Sequence, residues 1–180
     1  MPQTPNLLPL LKDPPGRADR RSIGRSNAVA ALVLKHPALA GQLVRAMWHA
    51  DPVVRMRAAD ALEKASIQNL KIIARYKQEL LGLLGETPQQ ELRWHLAQMV
   101  PRLPLTAAER RRAVQHLRGY LDDRSSIVKT CALQALADLC EQDSSLRPEF
   151  VELLRTAART GTPAMRARSK KLLRRLKEAP

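Results

Sequence analysis

The residue types that most often carry catalysis or bind metals are sparse in this sequence, and their spacing suits neither task. No two of the four histidines have the HxxxH spacing, and the two cysteines do not form a CxxC motif. Closely spaced ligands of that kind are the usual mark of a zinc site. The sequence also lacks the glycine-rich GxxxxGKS/T and GxGxxG phosphate cradles. It therefore predicts no metal, no cofactor and no nucleotide.

The thiols and carboxylates give no better case for catalysis. Cys131 and Cys140 stand nine residues apart in one predicted helix, or about 13 Å along its axis, which rules out a disulfide between them. They are typical of small core residues. The inner-helix acids fall on helical surfaces without converging: Asp60, Glu63, Glu91 and Asp138. We therefore expect the protein not to be an enzyme.

Positive charge is the strongest chemical feature of the chain. The formal net charge is +14, and residues 147–180 carry ten basic and three acidic side chains. A cluster of cations falls on the last predicted helix: Arg166, Arg168, Lys170, Lys171, Arg174, Arg175 and Lys177. Such a field attracts nucleic acid, acidic proteins or an anionic membrane. It also serves to keep an Ala/Leu-rich protein in solution, and both interpretations stay open here.

The composition predicts an all-α protein. Hydrophobic residues make up 44 % of the chain and aromatic residues only 3 %. Most of the hydrophobic residues are alanine and leucine, which favour helices over strands. No segment has the length of unbroken apolar sequence that a membrane span needs, and the N-terminus lacks the basic start of a signal peptide. We expect a soluble, cytoplasmic monomer.

A recurring helical frame organises the chain. The segment Asp51–Leu62 places an aliphatic residue, then a basic one, then further apolar residues four and eight positions after the aliphatic one. The frame returns at five anchors with separations of 31, 38, 36 and 37 residues: Ile23, Val54, Leu92, Val128 and Met165. Steps of this size suit a unit of two helices with two short turns.

The partner helices and their caps complete the prediction. Apolar spacing of three to four residues predicts helices over 37–49, 72–84, 106–121 and 146–159, with a truncated helix over 6–12 and a final one over 163–178. Asp51, Thr87 and Thr162 each precede a proline, as an N-cap does, and Thr106 with Glu109 fits a capping box. The sequence predicts one repeat domain over 1–180, a right-handed α-α solenoid of about 4.5–5 helix pairs.

The segment Asp51–Leu62 resembles the inner-helix signature of HEAT repeats, an armadillo-like family. The likeness extends from residue 6 to residue 178. It implies a scaffold or adaptor, and a ladder of Asp and Arg side chains between neighbouring repeats. In that ladder Asp51 takes the Asp position, and the Arg position falls on Arg55, Arg93, Lys129 and Arg166.

Helical phase assigns a possible binding face. Positions two and six after each anchor point away from the apolar stripe, and in HEAT-like stacks the inner helices line the concave surface. The residues assigned to partner binding there are Met56, Asp60, Trp94, Gln98, Thr130 and Gln134. Trp94 next to Met56 resembles a protein-binding hot spot. The alternative is that Trp94 packs into the core.

These features predict a non-catalytic scaffold that binds a protein partner on the inner-helix face. One alternative is a nucleic-acid-binding repeat protein that uses its basic ends, above all Arg166, Arg168, Lys170, Lys171, Arg174 and Arg175. Another is an enzyme similar to the alkylpurine DNA glycosylases, which also use helical repeats. That second likeness is architectural alone.

Overall fold

The computed structural model describes residues 5–12 and 22–178, with side chains described up to Leu176. Within these residues the chain forms eleven α-helices and no strands, so the all-α prediction is confirmed. The helices are α1 (Leu8–Leu11), α2 (Ser26–Lys35), α3 (Ala40–Ala46), α4 (Pro52–Gln68), α5 (Lys71–Ala74), α6 (Lys77–Glu86), α7 (Gln90–Met99), α8 (Ala107–Gly119), α9 (Ser126–Gln142), α10 (Arg147–Thr160) and α11 (Pro163–Glu178). None of these helices has both the length and the apolar content needed to cross a bilayer.

The chain divides into two compact units. The first comprises Met1–Leu83 and Arg102–Pro104, and the second comprises Leu84–Pro101 and Leu105–Pro180. The expectation of one repeat domain over residues 1–180 stays a prediction.

Helix α4 is the centre of the first unit. The carboxylate of Asp51 accepts a hydrogen bond of 2.8 Å from the backbone N–H of Val53, and Pro52 is the first helical residue, which confirms the predicted cap. Helices α1, α2, α3 and α5 all pack against α4. As a result, twelve of its 17 residues are buried, more than the single apolar stripe of a surface helix would bury.

A buried arginine ties the start of the first unit to α4. Arg57 is 1 % exposed. Its Nε donates to the carbonyl of Ser22 at 3.0 Å, and its Nη1 donates to the carbonyl of Leu11 at 3.2 Å. Gly24 lies beside this guanidinium with φ of +51°, and a Cβ there would lie 2.7 Å from Cζ of Arg57. Glycine therefore provides both the left-handed backbone and the space.

The helix predicted over 72–84 is wrong as one continuous element. It forms as α5 and α6, with a break at Arg75 and Tyr76. The backbone N–H of Tyr76 donates to the carbonyl of Ile73, a tight-turn hydrogen bond that replaces the α-helical one. The Tyr76 hydroxyl then lies against Gly41, where a Cβ would come within 2.8 Å of it. The turn thus places an aromatic ring against α3.

Helix α9 is the centre of the second unit. It packs against α7, α8, α10 and α11, and α10 also packs against α11. Its buried face is apolar: Val128, Ala132, Leu133, Ala135, Leu136, Ala137, Leu139 and Cys140.

Two polar side chains fix other segments onto this core. The Tyr120 hydroxyl donates to the carbonyl of Leu84 at 2.6 Å, and Nε2 of Gln142 donates to the carbonyl of Pro101 at 2.7 Å.

Two of the predicted caps in the second unit are confirmed. Thr106 and Glu109 form a reciprocal capping box at the start of α8. Thr162 Oγ1 accepts from the backbone N–H of Met165 at 3.3 Å, directly before Pro163.

The cap predicted at Thr87 is wrong by two residues. Gln89 is the N-cap of α7, and Thr87 Oγ1 instead accepts from the backbone N–H of Gln89 at 3.3 Å, in the turn before the helix. At the other end, α7 stops at Met99 and continues as a 3₁₀ turn over Val100–Arg102, where Pro101 lacks the backbone N–H that an α-helix needs.

Candidate macromolecular interface

Helix α7 carries the aromatic member of the predicted binding face. Leu92 and Leu96 bury one side of this helix, and Trp94 and Gln98 are half-buried on the other. The Trp94 ring lies against the ring of His95, with centroids 5.7 Å apart and the planes tilted by 60°. Trp94 is therefore neither a fully buried core residue nor a fully exposed one, and part of its ring is open to contact.

Helix α9 supplies the polar members. Thr130 and Gln134 are half-buried and stand four residues apart, so they lie on the same side of the helix. Thr130 Oγ1 donates to the carbonyl of Ser126 at 2.7 Å. Nε2 of Gln134 donates to Oδ1 of Asp138 at 2.8 Å. Both side chains are thus held in place by contacts within α9.

Two arginines of α11 reach across to the same side of α9. Nη1 of Arg168 donates to Oε1 of Gln134 at 2.7 Å. Nη2 of Arg175 lies 2.8 Å from Oδ1 of Asp138, and its Nε lies 2.7 Å from Oε1 of Glu141. We call these five residues the α9–α11 polar network. It joins Gln134, assigned to protein binding, to Arg168 and Arg175, assigned to anion binding.

The exposure predicted for Met56 and Asp60 is wrong. Both belong to α4 in the first unit, where they are 4 % and 6 % exposed. Oδ2 of Asp60 lies 2.6 Å from Nζ of Lys64, whose ammonium also donates to Oδ1 of Asn27 on α2 at 2.7 Å. Helical phase predicts exposure from a single buried stripe, whereas α4 is covered by several helices. The candidate surface therefore consists of residues of the second unit.

The other predicted cations of α11 are solvated. Arg166, Lys170, Lys171 and Arg174 are exposed, and their side chains have no ion-pair or hydrogen-bond partner among the described residues. The side chain of Lys177 lies outside the described residues. Of the six predicted cations with described side chains, Arg168 and Arg175 thus contact side chains of α9, and the other four have no partner among the described residues.

Sequence reasoning missed the acid that pairs with Arg93. Nη1 of Arg93 lies 2.6 Å from Oδ2 of Asp123, and its Nε donates to the carbonyl of Thr87 at 2.8 Å. The guanidinium also lies over the Tyr120 ring, 5.2 Å from its centroid. The available signal was the pair of aspartates in the turn before α9, Asp122 and Asp123, a pattern that also fits a helix cap.

The other positions of the expected Asp–Arg ladder behave differently. Arg55 donates from Nη1 to the carbonyls of His49 and Ala50, in the turn that precedes its own helix. Among the described residues, Lys129 and Arg166 have no acidic side chain within ion-pair distance. Arg93 is thus the ladder position at which an arginine is seen to pair with the aspartate of a following turn.

An open groove of about 590 Å³ runs beside α10 in the second unit. Leu133, Leu153 and Met165 contribute apolar surface to it. On its rim, Nη1 of Arg118 and Oε1 of Glu149 form an ion pair of 2.5 Å. The groove has the volume of a ligand pocket. However, Arg118 and Glu149 on its rim pair with each other and so do not present free charges to a ligand.

The Cys140 thiol and the buried Tyr120 hydroxyl are held in their neutral forms. Burial raises the pKa of the Cys140 thiol, which a nearby arginine, Arg147, opposes more weakly. Burial also raises the pKa of Tyr120, again against the opposing effect of Arg93. A protonated buried thiol is a poor nucleophile. In the part of the chain that the structure describes, no three His, Cys, Asp or Glu side chains converge as metal ligands.

Comparisons with known proteins leave the chain without an assigned family. No protein-family model matches the sequence, and no curated protein matches it.

Proposed function

We propose that this chain is a HEAT-like helical repeat protein, a right-handed solenoid that acts as a non-catalytic scaffold for a protein partner. The repeat frame supports this proposal, because each of its anchors after the first lies within one of the helices α4, α7, α9 and α11. In the second unit, α9 packs against both of the other anchor-bearing helices, α7 and α11. Packing between successive inner helices is what a repeat stack requires.

The position of Trp94 is the observation that carries the binding proposal. Its ring is half-buried on the side of α7 opposite Leu92 and Leu96. A tryptophan in this position offers a large apolar surface that is already partly fixed, so binding costs little further side-chain entropy. Tryptophan is also among the residues most enriched in binding hot spots. We therefore place the centre of the interface at Trp94.

The α9–α11 polar network supports a protein partner for this face. It presents the carboxylates of Asp138 and Glu141 together with the guanidinium of Arg175. With two carboxylates and two guanidiniums the network has no excess positive charge to attract phosphates, whereas a protein surface offers donors and acceptors to both signs of charge. Mixed polar groups on a helix that packs against α7 are typical of an interface rim.

The experiment compares two tryptophans of the same chain. Trp94→Ala removes the proposed anchor, and Trp48→Ala removes a ring that is 55 % exposed in the first unit. Wild-type protein and both variants are immobilised and incubated with extract of the source cells, and the captured proteins are quantified by mass spectrometry. A candidate partner is then purified, and its Kd is measured by calorimetry.

We expect Trp94→Ala to raise the Kd by about 30-fold or more, the effect of a 2 kcal/mol hot spot. Trp48→Ala should leave the Kd within about threefold, and the melting temperatures of both variants should stay near that of the wild type. Equal losses with both variants would refute the assigned face. A large fall in the melting temperature of Trp94→Ala alone would instead make Trp94 a core residue. The enzyme alternative stays a prediction.

A further inference from the structure

One side of α11 presents a row of positive charge that no described acid neutralises. Arg166, Lys170 and Arg174 stand four residues apart, so their side chains follow one another along a single side of the helix. All three are exposed, and no acidic side chain of the described residues pairs with them. The sequence from Pro163 to Lys177 contains no acid. We call these three residues the α11 basic row.

Two described acids that contact α11 are engaged on its other side. Arg175 holds the carboxylates of Asp138 and Glu141 at 2.8 and 2.7 Å. Elsewhere in the second unit, further acids pair with arginines of other helices, as Glu149 does with Arg118 and Asp143 with Arg110. The described acids therefore leave the positive charge of the row unpaired.

We propose that the α11 basic row binds the phosphate backbone of double-stranded nucleic acid. A helix rises 1.5 Å per residue, so steps of four residues space the cations about 6 Å apart over a length of about 12 Å. One strand of B-DNA carries a phosphate every 3.4 Å along the axis, and thus three to four phosphates over about the same length. The three cations therefore span enough of the duplex for each to meet a different phosphate.

The chemistry of the row favours a duplex over a single strand. Proteins that bind single strands stack the bases on aromatic side chains, and α11 contains no aromatic residue. Arginine and lysine contacts to phosphates need no base to be exposed. They position a protein on a duplex without reading its sequence. The binding is therefore expected to be independent of sequence and strongly dependent on salt.

A membrane surface fits the row less well. Helices that lie in a bilayer interface insert an apolar face between the lipids. Three of the four large apolar residues of α11, Met165, Leu172 and Leu176, are buried in the second unit, and the fourth, Leu173, is half-buried. Beyond its first residue, the exposed positions described in the helix carry charge and, as apolar side chains, only the small Ala164 and Ala167.

The test measures binding to a fluorescein-labelled duplex of about 20 base pairs by anisotropy, from 50 to 200 mM salt. The test variant is Arg166→Gln/Lys170→Gln/Arg174→Gln. The matched control is Lys35→Gln/Lys71→Gln/Arg75→Gln, which removes the same charge from exposed side chains of the first unit that also have no partner among the described residues. Glutamine is a good helix former, and circular dichroism and melting temperature check each variant.

The wild type should bind with an affinity that falls steeply with salt. Removing three phosphate contacts should lower the slope of log K against log salt by about 2.7 and weaken binding at 100 mM salt by more than about tenfold. The control should keep the wild-type slope. No binding of the wild type at 50 mM salt, or equal losses with both triple variants, would overturn the proposal.

A labelled poly-glutamate peptide of about 20 residues is titrated under the same conditions. Weak binding relative to the duplex is expected. If the peptide binds more tightly than the duplex and the row variant abolishes that binding, the row serves an acidic protein and the nucleic-acid assignment is wrong. Since Trp94 is unchanged in every variant, failure of this test leaves the proposed protein interface intact.

Discussion

Oε1 of Gln134 on α9 and Nη1 of Arg168 on α11 form a hydrogen bond of 2.7 Å. The other end of the same amide donates to Asp138, which also lies 2.8 Å from Nη2 of Arg175. Gln134 therefore links Arg168 to Asp138, and Asp138 in turn pairs with Arg175. Side chains of α9 in this way fix the side of α11 that carries Arg168 and Arg175, and leave the α11 basic row facing solvent.

The first prediction concerns the coupling between Gln134 and Arg168. A double-mutant cycle with Gln134→Ala and Arg168→Ala should give a coupling of about 0.5–1 kcal/mol in the free energy of unfolding, less than a buried charged hydrogen bond because both groups are half-exposed. Urea denaturation at two salt concentrations measures it.

The Asp138–Arg175 pair provides the control for that cycle. Both side chains are 37 % exposed, so their coupling should fall as salt screens the charges, whereas the coupling to the neutral amide of Gln134 should change little. A zero coupling for Gln134 and Arg168 at both salt concentrations would show that the contact does not hold α11 in solution.

The second prediction concerns Tyr120→Phe. At neutral pH this variant should be less stable than the wild type, and as the pH becomes alkaline it should lose less stability than the wild type does. The buried hydroxyl donates to the carbonyl of Leu84 at 2.6 Å, and its removal should cost about 1 kcal/mol. Burial raises the pKa of Tyr120 above its ordinary value of 10.0. A folded-state pKa above the unfolded value favours the folded protein below pH 10, and this contribution is lost as pH rises beyond it.

Denaturation midpoints between pH 8 and pH 11 therefore distinguish the two proteins. The wild type should lose more stability than Tyr120→Phe above about pH 10. Tyr76→Phe, at a half-buried tyrosine of the first unit, keeps Tyr120 and is the control for loss of a tyrosine hydroxyl elsewhere. Parallel curves for the wild type and Tyr120→Phe would contradict the buried position of the hydroxyl.

Helix type and most helix starts could be predicted because they depend on local chemistry. The capping box of Thr106 and Glu109 satisfies backbone donors within one turn. The Asp51–Pro52 cap does the same at α4. Local rules failed between Ala74 and Lys77, where the break that separates α5 from α6 lies beside a contact of Tyr76 with Gly41, far away in sequence.

Burial was harder to predict than helix type, since it depends on how many neighbours surround a helix. On α7, the residues placed opposite the apolar stripe, Trp94 and Gln98, are half-buried, so they are outside the core but less exposed than predicted. On α4 the same rule failed for Met56 and Asp60, because four other helices pack against it. The pairing of Arg93 with Asp123 spans 30 residues, and no local pattern indicates which acid a given arginine meets.

The third prediction is that Gly24→Ala destabilises the first unit. The backbone at residue 24 has φ of +51°, and the new Cβ would lie 2.7 Å from Cζ of the buried Arg57. The left-handed backbone alone costs about 1 kcal/mol for alanine, and displacement of a guanidinium that donates to the carbonyls of Ser22 and Leu11 adds to it. We expect a total loss of about 2 kcal/mol or more.

Gly82→Ala is the matched control for that substitution. Gly82 lies inside α6, and no atom lies within 4 Å of the position its Cβ would take. Alanine should stabilise the helix there by up to about 1 kcal/mol. The two glycine variants should thus shift the urea midpoint in opposite directions, and a neutral Gly24→Ala would contradict the close approach of Arg57.

The last prediction tests whether the guanidinium geometry of Arg93, and not only its positive charge, stabilises the fold. The guanidinium contacts Asp123 at 2.6 Å, donates to the carbonyl of Thr87 at 2.8 Å and covers the Tyr120 ring. The Asp123 side chain is only 6 % exposed. Lysine keeps the charge, but its single ammonium cannot make the same set of contacts. Arg93→Lys should therefore lower the free energy of unfolding by about 1–2 kcal/mol.

Arg112→Lys, at an exposed arginine of α8 that has no partner among the described residues, should change stability by less than about 0.5 kcal/mol. Arg93→Met should cost more than Arg93→Lys, because it leaves the nearly buried Asp123 carboxylate without a cation. Adding Asp123→Asn to Arg93→Met should then recover part of the loss, since the amide carries no charge. If Arg93→Lys and Arg112→Lys have the same midpoint in urea, the charge of Arg93 is sufficient and its three directed contacts contribute nothing measurable.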